Sequence, residues 1–400
     1  MIMKILVTGA RGFVGRNLCA QLNNIRAGEA MWYGDIRIEG VYEYDRNSSQ
    51  EDLERYCSDC DFVFNLAGVN RTMNDDDFMK VNFGFTSLLL ETLESAGNNC
   101  PVMMSSSIQA AFSGRFGLNA YAVSKRTAEE RLIEHRRRTG ADILIYRFPN
   151  IFGKWCKPNY NSVVATFCYN IANDLPIYVS DRAQEIELLY IDDLVDEMVA
   201  ALRHRSEYWQ SPYRTCPLTY KVTLGELADM VQTFSDLPKP HLPHLPVSSL
   251  ASKLYSTFMS YLPKERMTFT LDAKRDSRGC FTELLKSMEG GQVSLNVSRP
   301  ETVKGEHWHN SKWEWFVVVS GYGLVRQRRI DSDEILDFEV QGENLKVVQI
   351  LPGYTHELIN LSDVHDLITL IYCNEPYDPN KPDTFYLPVD SITRNENRLQ

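Results

Sequence analysis

Seven consecutive residues, Gly9-Ala10-Arg11-Gly12-Phe13-Val14-Gly15, constrain this chain more than any others. They follow the apolar run Ile5-Leu6-Val7 directly and open a helix-like pattern. Glycines at this spacing permit a tight turn, close approach of backbone to a pyrophosphate, and snug packing of helix on sheet. The helix that starts there turns unpaired N–H groups and partial positive charge towards phosphate. Three glycines alone also suit a ligand-free turn, but the strand before and the helix after favour a dinucleotide site. Apolar runs recur at Phe62–Phe64, Val102–Met104 and Ile143–Tyr146, separated by helix-like stretches over 78–94 and 121–138. Such alternation predicts an α/β Rossmann-type domain, a doubly wound parallel sheet with helices on both faces.

A chain of 400 residues exceeds what one core usually organises, so two domains are expected. The alternation stops near Phe234, and Pro238, Pro240, Pro243 and Pro246 punctuate a segment that can be neither helix nor central strand. With the boundary in 237–250, the division is a dinucleotide-binding domain over 1–245 and a second domain over 246–400. In the second half, Gln292–Val297 alternates apolar and polar residues. Trp315–Val319, Glu334–Val340 and Leu367–Tyr372 are further strand candidates. Short strands separated by Gly-containing turns predict an all-β barrel or sandwich.

The 42 basic and 53 acidic side chains leave a net charge of -11, which argues against nucleic acid or an anionic membrane as the main partner. No apolar run of about 18 residues suggests a membrane-spanning helix. The opening Met1–Val7 runs straight into strand-like sequence without a secretory pattern. Nine cysteines, an odd number, fit a reducing compartment better than a disulfide framework, so a cytoplasmic location is expected. Cys57 and Cys60 lack a matching second pair and read as free thiols.

Charge at the end of the second strand selects the dinucleotide. Asp45 can accept from a ribose 2′-hydroxyl and favour NAD, whereas Arg46 and Arg11 can clamp a 2′-phosphate. Two cations against one carboxylate tilt the reading to NADPH. Ser105-Ser106-Ser107 ends a strand of the parallel sheet, where such sheets present ligands. Tyr121 and Lys125, at i and i+4, share one helix face. An ammonium and a cationic nicotinamide favour the phenolate and lower the tyrosine from its ordinary value near about 10. Tyr121 can then exchange a proton with a carbonyl or alcohol oxygen while hydride moves to or from carbon, with Ser107 bonding the same oxygen.

Four of the eight histidines lie between 307 and 365. His307 and His309 point to one face of a strand, followed by Glu314 and Gly321, with His356 farther on. Three imidazoles and a carboxylate from neighbouring strands suit a divalent metal such as Zn2+.

The glycine loop with Ser107, Tyr121 and Lys125 resembles the extended short-chain dehydrogenase/reductase superfamily. Asn65-Leu66-Ala67-Gly68 and Arg147-Phe148-Pro149-Asn150-Ile151-Phe152-Gly153 extend the match. The resemblance implies catalysis by Ser107, Tyr121 and Lys125. It implies cofactor contacts at Gly9, Arg11, Gly12, Phe13, Val14, Gly15, Asp45, Arg46, Leu66, Ala67 and Gly68, and a nucleotide-sugar pocket that includes Asn150. Two departures are Ala122, where glycine is usual, and an apparent insertion over 26–38. The histidine pattern resembles the two motifs of the cupin barrel, with Pro352 in an unusual place. Asp276 to Glu283 resembles the entry of cupin-type deoxysugar epimerases, which implies substrate contacts at Arg278 and Glu283 and a histidine base. His307 and His309 remain open between ligand and base.

The combination resembles the bifunctional enzymes of capsular polysaccharide and O-antigen synthesis, chiefly through Asn150–Val163, Ser105–Ala110 and Lys304–His309. This implies a UDP-linked 4-keto deoxy-amino sugar as substrate, C3 epimerisation in the cupin, NADPH-dependent C4 reduction, and a homodimer. Two rivals stay open: a reductase whose cupin only dimerises, and a non-enzymatic sugar-nucleotide sensor.

Overall fold

The computed structural model describes residues 2–390 apart from 114–117, 204–210, 238–240, 242, 244, 246–248, 288–289 and 381. The chain divides into two compact units. The first takes Met1–Ser235 and Val247–Pro263, and the second takes the rest.

The first unit opens with β1 (Ile2–Thr8), α1 (Phe13–Ala27), β2 (Arg37–Tyr44), α2 (Gln50–Asp59) and β3 (Phe62–Asn65). A short α3 (Asp76–Phe78) passes through a π-turn over Met79–Gly84 into α4 (Phe85–Ser95). Then come β4 (Val102–Ser107), α5 (Ala120–Thr139), β5 (Ile143–Phe148), β6 (Asn150–Phe152), α6 (Val163–Ala172), β7 (Glu185–Tyr190) and α7 (Ile191–Ala201). The unit ends with β8 (Tyr213–Arg214), β9 (Tyr220–Thr223), α8 (Leu224–Asp236) and α9 (Leu250–Met259). The main sheet is parallel throughout, in the order β2-β1-β3-β4-β5-β8.

Strand periodicity sorts its side chains onto two faces. Ile5, Val7, Phe62, Phe64 and Leu144 pack with Leu18 and Leu22 of α1 and Leu194 and Met198 of α7. Leu6, Val63, Val102, Ile143 and Ile145 pack with Leu53 of α2, Leu89 and Leu93 of α4, and Leu132 of α5. Each fully buried leucine in these layers contributes about 1.5–3 kcal/mol relative to exposure. The doubly wound reading therefore holds. The apparent insertion over 26–38 is a Gly28-capped end of α1 and a 3₁₀ turn at Met31–Tyr33. The Tyr33 hydroxyl donates to Asp196 of α7 and fixes the turn to the core. All nine cysteines are free, and the Cys60 and Cys100 Sγ atoms lie 3.8 Å apart.

The boundary expected near 246 needs correction. Residues 247–263 belong with the first unit. The reason is packing: Phe234 of α8 meets Tyr255 edge-on and Phe258 at a tilt, both on α9. Lys253 donates to Asp193 at 2.6 Å and to the Tyr220 hydroxyl at 2.8 Å, and Tyr261 donates to the Cys156 carbonyl at 2.5 Å. Pro238, Pro240 and Pro246 lie outside the described residues.

The second unit is all β. Its strands are β10 (Ala273–Asp276), β11 (Gly279–Ser287), β12 (Gly291–Ser298), β13 (Val303–Trp308), β14 (Glu314–Ser320) and β15 (Tyr322–Arg329). They continue as β16 (Ile335–Gln341), β17 (Val347–Ile350), β18 (Tyr354–Asn360), β19 (Leu367–Cys373) and β20 (Phe385–Tyr386). Two antiparallel sheets, β10-β11-β12-β19-β14-β17 and β16-β15-β18-β13-β20, form the barrel. Phe316, Val318, Val325, Val340, Leu358 and Leu367 form its apolar core. Gln292, Ser294 and Asn296 of β12 are buried polar residues that line a cavity.

Candidate active site

In the first unit a cleft of about 710 Å³ opens at the C-terminal ends of the parallel strands. Gly9, Arg11, Gly12, Phe13, Val14, Gly15, Leu66, Gly68, Ser107, Tyr121, Lys125 and Asn150 all line it. Among the predicted residues, Ala67, Asp45 and Arg46 do not. Ala67 backs the glycine loop: a Cβ on Gly9, which has φ +69°, would sit 2.8 Å from the Ala67 nitrogen. A Cβ on Gly15 would lie 2.2 Å from the Gly9 carbonyl oxygen, so only glycine lets α1 start this close to the turn. Asp45 pairs with Arg11 Nε at 2.8 Å, and Arg46 is exposed beyond it. Gly12 caps α1 without a side-chain bond, and no acidic residue occupies the first turn. Unpaired N–H groups facing a cleft of this size fit a dinucleotide pyrophosphate.

α5 brings Tyr121 and Lys125 to the cleft, as the i, i+4 spacing requires. Burial pushes the Tyr121 phenol up, and a hydrogen bond from Ser107 pulls the other way. Desolvation outweighs the pull of the serine. Lys125 is buried and donates to the Ser105 carbonyl at 3.0 Å. Burial brings it down to about 8, against the pull of Glu129. Glu129, one turn on, is itself fully buried and gripped by Arg147 at 2.6 and 2.9 Å and by Ser106 at 2.5 Å.

Sequence reasoning missed Asn82. It sits in the π-turn, 1% exposed, and exchanges hydrogen bonds with both backbone groups of Val69 while donating to Ser124 Oγ at 2.9 Å. A Cβ on Gly68 would meet Asn82 Oδ1 at 2.7 Å and Lys125 Nζ at 3.1 Å, so these groups converge under Gly68. The sequence does not single it out, because Lys80, Thr86 and Ser87 are polar in the same stretch. Lys157, Tyr160 and Ser162 also line the cleft and were not singled out as contacts.

The barrel cavity, about 500 Å³, holds the second constellation. His307, His309, Glu314 and His356 place one ligand atom each within 4.8 Å of one another. His307 and His356 face each other across β13 and β18, where a bulge follows Gly305. That glycine, with φ +102°, approaches the His356 carbonyl too closely for a Cβ. His309 lies just past the end of β13, and Glu314 opens β14 in the other sheet. Glu314 Oε2 lies 3.5 Å from His356 Nε2 and 3.8 Å from His309 Nε2. These gaps are long for hydrogen bonds but close to the edge, about 3.4 Å, of a tetrahedron whose corners lie about 2.1 Å from a zinc ion.

His309 Nδ1 contacts the Asp383 carbonyl, which sets the tautomer with the lone pair on Nε2. Both nitrogens of His356 and Nε2 of His309 are buried without a hydrogen-bond partner, a cost natural proteins rarely leave uncompensated. Burial lowers His307, and it takes His356 down to about 3. Burial alone would raise Glu314, yet the three imidazoles hold it below its ordinary value. Three imidazoles beside a carboxylate held below its ordinary value are the donor set a divalent cation needs. Arg278 and Glu283 also line this cavity, Arg278 paired with Asp276 at 2.8 Å and Glu283 with Lys286 at 2.7 Å.

With both geometries in view, comparison with known proteins is decisive. Residues 5–211 match the NAD dependent epimerase/dehydratase family. The chain belongs to that family. Residues 274–385 match the polysaccharide biosynthesis C-terminal domain. A UDP-2-acetamido-2,6-beta-L-arabino-hexul-4-ose reductase of Pseudomonas aeruginosa is 38% identical over 387 residues, covering 97% of this chain and 99% of the relative. The crystal structure of the capsular polysaccharide assembling protein CapF from Staphylococcus aureus superposes with a TM-score of 0.83 at 40% identity, over 96% of this chain and all of that one. This likeness spans both units, the Rossmann-type sheet and the cupin-like barrel. A UDP-glucuronic acid 4-epimerase from Bacillus cereus, 18% identical with a TM-score of 0.54 over 65% of this chain and 96% of that one, shares the fold.

Proposed function

We propose that this chain is a bifunctional UDP-sugar enzyme of capsule or O-antigen synthesis. Its barrel epimerises C3 of UDP-2-acetamido-2,6-dideoxy-4-hexulose. Its first unit then reduces C4 with NADPH to UDP-N-acetyl-6-deoxy-L-talosamine, on the route to UDP-N-acetyl-L-fucosamine. The observation that carries this reading is the pairing in one chain of the Ser107–Tyr121–Lys125 cleft with a separate buried histidine cavity. Full-length similarity to the Pseudomonas reductase supplies the substrate class.

In the cleft, the α1 N-terminus and the glycine loop hold the pyrophosphate. Arg11 and Arg46 favour a 2′-phosphate, because Arg11 already neutralises Asp45. Reduced nicotinamide, when bound, supplies the hydride. Tyr121 donates the proton to the oxygen at C4, Ser107 bonds that oxygen, and Lys125 orients the phenol and replenishes its proton. Asn150 contacts the nucleotide sugar.

In the barrel, His307, His309, Glu314 and His356 would hold zinc, which when bound supplies local positive charge and rigidity to the cavity. His307 or His309, in a state in which it does not ligate the metal, takes the C3 proton, made acidic by the adjacent ketone, and the proton returns on the opposite face, with Arg278 and Glu283 contacting the sugar nucleotide. Reduction then makes a reversible epimerisation one-way. The barrel's outer face supports a homodimer: Trp315, Val319 and Val347 are exposed on β14 and β17, and Trp313, Trp315 and Tyr372 cluster with ring centroids 5.6–6.1 Å apart. No helix among the described residues is long and apolar enough to cross a membrane.

The test is to incubate the purified protein with the 4-keto sugar nucleotide and NADPH, following NADPH oxidation and identifying the product by NMR. One NADPH consumed per sugar, with inverted C3, is expected. Unreduced sugar with no NADPH consumed contradicts the reading.

A further inference from the structure

Residues 383–389 hold one two-residue strand, β20, and none of the residues that the sequence patterns single out. Yet this segment reaches the chain at or beside each of the barrel's three ligand histidines. The Asp383 carbonyl contacts His309 Nδ1. β20 pairs antiparallel with β13, setting Tyr386 opposite His307 and Phe385 opposite Trp308, whose rings lie 5.0 Å apart. The Leu387 N–H donates to the Glu306 carbonyl at 2.9 Å, one residue before His307. The Thr355 hydroxyl, one residue before His356, donates to the Leu387 carbonyl.

Two features of β13 require such a brace. In the order β16-β15-β18-β13-β20, it is β20 that keeps β13 from being an edge strand with unpaired backbone groups. Glu306 also has φ +56°, a left-handed conformation that a residue with a side chain keeps only where its surroundings impose it. Both ends of the segment are fastened. At one end the Asp383 carboxylate accepts from the backbone N–H groups of Asn310 at 2.9 Å, Ser311 at 2.9 Å and Lys312 at 3.1 Å. At the other, Arg328 is 6% exposed and donates from Nε to the Val389 carbonyl at 2.7 Å and from Nη2 to the Pro388 carbonyl at 3.2 Å. A guanidinium withdrawn from water must have its donors satisfied, and here two of them go to the main chain of this segment. Arg328 stands opposite Thr355 in the β15–β18 register, so the two anchors are neighbours.

We infer that residues 383–389 form a latch that holds the barrel's metal centre together, with Asp383 and Arg328 as positioning residues at its two ends. The inference rests on the proposed zinc site. The latch supplies none of the four ligand atoms, so it acts on how firmly an ion is retained rather than on which donors meet it. It fixes the ring of His309 through the Asp383 carbonyl, the backbone of His307 through β20 and Glu306, and the strand of His356 through Thr355. Partners that orient ligand histidines from outside govern metal affinity in this way.

The test measures zinc affinity of the full chain by competition with a chelator, with neither sugar nucleotide nor NADPH present. Asp383→Asn turns an amide towards the N–H groups of the 310–312 loop and is expected to weaken zinc about 10–100-fold. Arg328→Lys keeps the charge but cannot bridge Val389 and Pro388, and a loss of about tenfold is expected. Thr355→Val removes the hydroxyl bond to Leu387, keeps the branched shape, and should weaken zinc in the same direction, so a folding fault peculiar to Arg328→Lys does not decide the matter. Combining Asp383→Asn with Arg328→Lys should cost no more than Asp383→Asn alone, because both substitutions release one segment. Parent-like zinc affinity in Arg328→Lys and Thr355→Val overturns the inference alone, even where the metal-free protein melts at a lower temperature, since that outcome leaves these residues a purely structural role. Losses that multiply in the double variant also overturn it. A parent that binds no zinc overturns the metal-centre reading as well.

Discussion

The two cavities differ in how their polar groups are satisfied. In the first unit almost every functional side chain has a protein partner: Lys125 bonds Ser105, Asn82 bonds Val69 and Ser124, and Glu129 is gripped by Arg147 and Ser106. In the barrel, both nitrogens of His356 and Nε2 of His309 are buried without one. The cleft is preorganised by the protein itself and presents backbone N–H groups to a diffusible cofactor. The barrel cavity is completed only by a ligand. A site that releases its cofactor each turnover benefits from the first design, and a site that retains a cation benefits from the second.

Several perturbations separate the two designs. The largest effect is expected from Tyr121→Phe, which removes a proton donor and nothing else: NADPH oxidation should fall about a hundredfold to ten-thousandfold, while C3 wash-in in the barrel stays at the parental rate. If NADPH oxidation is unchanged, the catalytic assignment of the cleft fails.

The next concerns the cost of burying Lys125. Its folded value of about 8 lies below the ordinary 10.5. Below pH 8 both folded and unfolded chains bind the proton and the folded state carries the full penalty. Between pH 8 and 10.5 only the unfolded chain binds it, so stability rises with pH. Lys125→Met should therefore be more stable than the parent at pH 7 by up to about 3 kcal/mol, a gap that closes towards pH 10.5 in denaturant titrations. A gap independent of pH would show that desolvation is not what sets this lysine.

Chelation should act on the barrel alone. Removing a cation present at about 100 times its dissociation constant costs about 2.7 kcal/mol, about 10 °C in the barrel's melting transition, with the first unit's transition unmoved. Equal shifts in both would erase the distinction drawn above. Gly15→Ala is the smallest of the set. Its Cβ meets the Gly9 carbonyl at 2.2 Å, so a loss of about 1–3 kcal/mol and weaker NADPH binding by calorimetry are expected.

The sequence made the cleft readable where its chemistry is local. The glycine loop, and Tyr121 with Lys125, sit within one turn or one helix, so spacing alone brings them together. Asn82 was not readable, because a π-turn leaves no periodic mark and only the tertiary contact with Val69 and Ser124 gives the residue its place. The histidines and Glu314 were readable as a motif even though Glu314 belongs to a different sheet. Asp383 was not, since it reaches His309 and the 310–312 loop across more than 70 residues. Residues 247–263 fell to the second domain in the sequence because the prolines mark where a pattern stops, and only the contacts of Phe234 with Tyr255 and Phe258 show which unit the following helix packs on.

Everything distinctive in this account depends on a second centre, in the barrel, that ionises carbon beside the ketone without help from the nicotinamide. The direct measurement is proton NMR of the 4-keto sugar nucleotide held with the parent protein in D2O, no reduced cofactor present. Loss of the C3 proton signal, with the ketone otherwise intact, is the predicted result. A ketone recovered with its C3 proton undiminished, from protein whose cleft still oxidises NADPH, would contradict it.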